Sequence, residues 1–269
     1  MVKKFTKNYG QILLRGSFWF GILGIFILYS IDSDLPMFWS QYEWNVAMEN
    51  DDVMYFITGF ILFGSYKVFM LVFATVGFGL QFSDEWNHGM APQIIRKWGI
   101  KKYACTYTAL GALSGGMISS LGMGAYILYM HSRLQLINKV SLANEEGWNY
   151  LYAVNDKNGV GYMLIIIGVM FVAGAIASVM ALCFSTVTTN KYIVMIFPYL
   201  VYRTYVEIAK AVSIPNKMRI DYYLLGRNDI GTSYLSTAVI LIVILAAVIL
   251  TGQFLFRKGI RRKLCYEKY

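Results

Sequence analysis

Few residues in this 269-residue chain have the type and spacing to do chemistry. The two histidines, His88 and His131, and the three cysteines, Cys105, Cys183 and Cys265, stand far apart, and no pair has zinc-type spacing. The cysteines fall in apolar or terminal segments and give no disulfide framework. Glu145 and Glu146 are the only adjacent glutamates. They sit in a loop, and no arginine follows Glu146 at four residues, so an intramembrane protease of the prenyl-protein type is disfavoured. No G-x-S-G serine site occurs, and no G-x-x-x-x-G-K-[ST] phosphate loop occurs. The sequence therefore reads as a non-enzyme with no cofactor of its own.

The remaining chemistry lies in charges placed among apolar residues. Lys67 lies within an apolar stretch from about 54 to 82, about 14 residues from either end. At 1.5 Å per residue that is about 20 Å deep. A charge at such depth costs on the order of 2.5–3.5 kcal/mol unless paired or hydrated. Lys67 thus reads either as part of a substrate path or subunit interface, or as one partner of a structural pair. Arg203 and Glu207 are spaced i, i+4 and can pair on one helical face; they read as a local ion pair or as a gate touching Lys67. Pro198 lies one turn earlier and can kink that helix.

The elements that must carry these residues are membrane helices. Hydrophobic residues make up 57% of the chain and charged residues 14%, with a mean hydropathy of +0.51. Soluble domains carry about 25% charged residues. Residues 16–31, 103–130, 158–190 and 233–256 contain no charge, and two further apolar stretches run over about 54–82 and 192–212. Together they predict six transmembrane helices, without the alternation of barrel strands. The 24 Lys and Arg against 15 Asp and Glu give a net charge of +9. The cations cluster before the first stretch, after the second, and in the C-terminal tail. The first outer loop holds Asp32, Asp34, Glu43, Glu49, Asp51 and Asp52 with no Lys or Arg. This asymmetry places both termini in the cytoplasm and directs the charge toward membrane lipids rather than nucleic acid. Val2, Phe5, Tyr9, Ile12 and Leu13 share a face, which predicts an amphipathic interfacial helix over 1–15. The expected fold is an all-α membrane protein: one domain over 1–269, six transmembrane helices, a cytoplasmic segment at 84–102 and an outer segment at 213–232.

The segment after the second stretch is the most informative. Glu85 stands four residues before Gly89. A short amphipathic helix is expected from near Pro92, with Ile94, Ile95 and Trp98 on one face. Arg96, Lys97 and Tyr103 then lead into the third stretch. The result is a compact knob between two membrane helices, placed to receive force from a soluble partner.

This arrangement resembles the membrane subunits of type-2 ATP-binding cassette exporters, in particular compact bacterial permeases of peptide export and bacteriocin immunity. Glu85, Gly89, Ile94, Ile95, Arg96, Lys97 and Tyr103 fill the places of their motif. Met90 stands where a hydroxyl residue is usual, and Trp98-Gly99 where Pro-Ser is common. The resemblance implies a bacterial plasma-membrane, multi-pass permease that pairs with a second copy or a relative and binds two separate ATPase subunits, which would hold the ATP and magnesium. It implies that Glu85, Gly89, Ile94, Ile95 and Trp98 couple the knob to the ATPase. It also implies a re-entrant hairpin over the 213–232 segment, and an amphiphilic substrate: a peptide, a bacteriocin or a lipid-like drug. Leu113-Ser114-Gly115-Gly116 matches the start of the ATPase signature only by chance, since it lies in an uncharged apolar stretch. Gly111, Gly115 and Ser119 instead predict close helix packing, within the chain or against a second copy. The alternative function is an ATP-independent channel or immunity protein.

Overall fold

The computed structural model describes residues 15–32, 67–134, 159–224 and 230–266. The expected helix over 1–15 (apart from Arg15), the acidic loop beyond Asp32, the first half of the second apolar stretch and Glu145-Glu146 lie outside them. Among the described residues the chain is helical, with no strand. Helix α1 is Gly16–Asp32. A 3-10 turn at Lys67–Phe69 leads into α2, Met70–Thr75, which is followed by α3, Gln81–Asn87, and α4, Met90–Trp98. Then come α5, Ile100–Leu134; α6, Gly159–Phe184; and α7, Lys191–Ala211. A second 3-10 turn at Asn216–Met218 precedes α8, Ile220–Leu224, and α9 is Tyr234–Tyr266.

Three helices are long and apolar enough to cross a membrane, over Ile100–Tyr129, Val160–Phe184 and Tyr234–Cys265, and they mark this as a membrane protein. The other apolar stretches are less complete. The 17 residues of α1 reach about 25 Å, short of a hydrocarbon core of about 30 Å. The 21 residues of α7 include Lys191, Arg203, Glu207 and Lys210.

The centre of the molecule is the crossing of α5 and α6. A Cβ on Gly115 would lie 2.4 Å from Ser178 Cβ and 2.5 Å from the Gly174 carbonyl oxygen; one on Gly174 would lie 2.1 Å from Ser119 Oγ and 2.4 Å from the Gly115 carbonyl oxygen. Each helix thus offers a glycine and, four residues on, a serine. With no Cβ at the crossing, the two backbones come into direct contact and gain dispersion contacts along their length. The sequence left open whether the Gly111–Gly115–Ser119 stripe meets its own chain or a second copy; Gly115 and Ser119 meet α6 of the same chain. Gly111 is looser, since a Cβ there would stop 3.6 Å from Leu182.

Helices α1, α2 and α9 pack around this pair. The second apolar stretch is interrupted between α2 and α3. Val76 N–H donates to the Phe73 carbonyl and Gln81 N–H to the Phe78 carbonyl, both three residues back, so the helix tightens across Gly77-Phe78-Gly79. Gly79 lets this turn approach α6: a Cβ there would lie 3.1 Å from Ser178 Oγ.

Candidate functional site

Helices α3 and α4 form a helix-turn-helix that overlaps the segment expected at 84–102, with the second helix starting at Met90 rather than near Pro92, and local sequence explains its shape. Gly89 has φ 68° and Gly99 has φ 79°. Both conformations are costly for residues with a Cβ. One glycine turns the chain out of α3 and the other turns it into α5. Pro92 is the third residue of α4, within the first turn, where its missing N–H costs nothing.

A buried carboxyl group fastens the base of the knob. Glu85 is 5% exposed. Its Oε1 accepts hydrogen bonds from Gln81 Nε2 at 2.7 Å and from the Tyr107 hydroxyl at 2.5 Å, and its Oε2 accepts one from the Tyr103 hydroxyl at 2.8 Å. Gln81 in turn accepts from the Arg15 guanidinium at the start of α1. Two polar pairs at i, i+4, Gln81–Glu85 on α3 and Tyr103–Tyr107 on α5, therefore face each other across the knob. The tyrosine rings stack at 3.9 Å. Phe82 and Tyr103 both pack on Phe256 of α9, with ring centroids 5.2 and 6.2 Å away.

The outer rim of this joint is ionic. Lys191 at the start of α7 pairs with Asp84, and Asn87 donates to the Thr189 carbonyl at 3.2 Å. The ion pair is partly exposed, so its contribution is on the order of 0.2–1 kcal/mol. From α9, Lys263 donates to the Ser185 carbonyl at 3.3 Å and lies 4.8 Å from the Trp86 ring centroid. The start of α1, the knob, the α6–α7 link and the last turns of α9 thus meet at one end of the bundle. The segments that meet here also carry Arg96, Lys97, Lys101, Lys102, Arg257, Lys258, Arg261 and Arg262, while Arg133 and Lys210 lie toward the opposite ends of α5 and α7, and Lys217 and Arg219 follow α7.

The sequence-predicted residues fall into three groups. Ile94, Ile95 and Trp98 do share a face of α4, but that face turns inward: Ile95 is 4% exposed, and Ile94 and Trp98 are half-buried against the same core. The outward face carries Gly89, Met90, Gln93, Arg96 and Lys97. Glu85 lies in the joint rather than on the exposed surface. Arg203 and Glu207 pair at 3.2 Å on an exposed face of α7, and Lys210 joins them 3.6 Å from Glu207. Lys67 opens the 3-10 turn before α2; only its backbone is described, so its contacts lie outside the described residues.

The segment expected as an outer hairpin begins where Ser213 takes φ 55° and turns the chain out of α7. Arg219 Nε donates to Asp221 at 3.1 Å, the guanidinium stacks 4.4 Å over Tyr222, and Ile220 N–H donates to the Tyr205 hydroxyl. The Asp221 carboxyl group raises Arg219 above its already high ordinary value, so the guanidinium keeps its charge. Sequence reasoning missed Gln81, Tyr107 and Arg15 as members of the joint. The signal available was the pair of i, i+4 polar spacings on either side of the knob.

Comparison with protein-family models, with curated proteins and with solved structures finds no match to this chain.

Proposed function

We propose that this chain is the membrane-spanning subunit of an ATP-driven exporter of the type-2 ATP-binding cassette kind, working in the bacterial plasma membrane. The observation that carries this reading is the knob. It is a helix-turn-helix between the short α2 and the long α5, fastened by Glu85 to α5 and presenting Met90, Gln93 and Lys97, at i, i+3 and i+7, to the outside. A partner pushing on that face moves α5, and α5 carries the central crossing with α6. The chain crosses the membrane six times with both termini on the cytoplasmic side, as the charge asymmetry requires. Two such chains, or this chain and a relative, assemble with two ATPase subunits that hold the ATP and magnesium. The cargo is an amphiphile, a peptide, bacteriocin or lipid-like drug.

The test is purification of the chain in mild detergent with its native neighbours. An ATPase subunit co-eluting in one-to-one ratio is expected, and Lys97→Glu with Gln93→Glu should weaken that co-elution without altering the melting temperature. A chain that elutes without an ATPase in repeated preparations would defeat the exporter reading in favour of an ATP-independent channel or immunity protein.

A further inference from the structure

We infer that the flank of α9 beside the end of α6 is a binding site for one anionic phospholipid. The inference rests on the reading that α9 crosses the membrane with its basic end at the interface; it does not need the ATPase partner.

Two glycines hold α9 hard against α6. A Cβ on Gly252 would lie 2.3 Å from Val179 Cγ1, and one on Gly259 would lie 2.1 Å from Thr186 Oγ1. This contact fixes one face of α9 and leaves the neighbouring flank overhanging the end of α6. The flank is a single helical stripe, Val248, Thr251, Leu255, Lys258 and Arg262, at i, i+3, i+7, i+10 and i+14. It borders an open groove of about 980 Å³ whose opposite wall is Ile176, Met180 and Val187. Phe184 and Phe197, stacked at 3.7 Å, form part of its lining where α7 approaches.

Along this stripe the chemistry changes once. Val248 to Leu255 is an apolar wall about 10 Å long, and Lys258 and Arg262 stand on the next two turns. Lys263 adds a third cation to the lining, and among the described residues no Asp or Glu lines the groove. Neither Lys258 nor Arg262 is paired with a carboxyl group among the described residues. An apolar slot leading to unpaired cations at the membrane surface matches an acyl chain leading to a phosphate headgroup. The same cations repel a cationic peptide. Free phosphate would leave the apolar wall uncovered, and a second copy docked on this stripe would bring its own cations.

The test uses the full chain, purified and placed in lipid nanodiscs, with bound lipid read by native mass spectrometry. Phosphatidylglycerol should be retained, and phosphatidylcholine of the same acyl chains should exchange away. Lys258→Gln with Arg262→Gln should weaken phosphatidylglycerol retention on the order of tenfold or more. Thr251→Trp, which fills the wall and keeps both cations, should weaken it too. Arg261→Gln should not, because Arg261 does not line the groove. All four positions are exposed, so unchanged elution and melting serve as the control for folding. Equal retention of the two lipids overturns the proposal, as does an Arg261 effect equal to that of Arg262, which would mean diffuse surface charge. Transport and ATP hydrolysis play no part in this readout, so a failed exporter reading leaves it unaffected.

Discussion

Glu85 has two carboxyl oxygens and three donors, and the two tyrosines that face it are themselves buried at 0% and 6% exposure. Removing the carboxyl group therefore takes away the acceptor of two buried hydroxyls, and that penalty exceeds the net gain of the bonds themselves. Glu85→Ala should lower stability by about 3 kcal/mol, measured by thermal or denaturant unfolding in detergent. Tyr107→Phe removes one donor and leaves two, so it should cost about 1–2 kcal/mol, between the ~0.6 typical of hydrogen bonds in membranes and the 1.5–3 of bonds to a charged group. In a Glu85→Ala background the same Tyr107→Phe change should cost almost nothing. A cost that stays the same in both backgrounds would mean the two groups do not act together. Glu85 was legible in the sequence because it stands four residues before Gly89 at the end of an apolar stretch. Tyr107 was not, because a tyrosine in an uncharged run is as well suited to an interfacial ring as to a hydroxyl donor.

At the scale of elements, the α5–α6 crossing and α4 each divide residues that look alike in the sequence. Gly111 and Gly174 are both glycines in apolar helices. A Cβ on Gly174 collides with a backbone oxygen at 2.4 Å, which cannot move aside, whereas one on Gly111 finds ordinary contact distance. Alanine favours a helix over glycine by about 1 kcal/mol. Gly111→Ala should thus be neutral or stabilising, and Gly174→Ala should separate the helices and lower the melting temperature sharply. Equal shifts for the two would overturn the account of the crossing. On α4 the division runs between faces. Ile95→Asp places an unpaired carboxyl group at a site 4% exposed and should destabilise the subunit itself by several kcal/mol. Met90→Asp, at 47% exposure, should leave folding intact and act only on co-elution of the proposed ATPase subunit. The sequence resolved that Ile94, Ile95 and Trp98 share a face. It did not resolve which way the face turns, because a knob that docks outward and one that packs inward need the same 3.6-residue period.

For the whole molecule, the distribution of burial and charge sets the orientation. In the window of α9 that is long and apolar enough to span, 11% of the residues are buried, and α1 exposes Trp19, Phe20, Leu23 and Ile27. Such surfaces are tolerable in hydrocarbon and would aggregate in water. Arg15, the knob, the α6–α7 link and Lys263 meet at one end, so α1, α5, α6, α7 and α9 all have a terminus there. Positive residues are retained on the cytoplasmic side, so on the proposed exporter reading this end is cytoplasmic and the acidic stretch from Asp32 to Asp52 is expected on the other side. Cys265 is exposed near the end of α9 and provides a native probe. A membrane-impermeant thiol reagent should label Cys265 in inside-out vesicles and spare it in right-side-out ones, in a chain whose other cysteines are replaced by serine. Asp34→Cys in a cysteine-free background should show the reverse. Labelling of both positions from the same side would overturn the proposed six-crossing topology while leaving the helical core intact. The core depends on glycine contacts between α5 and α6; the topology depends on the charges at the ends of the helices.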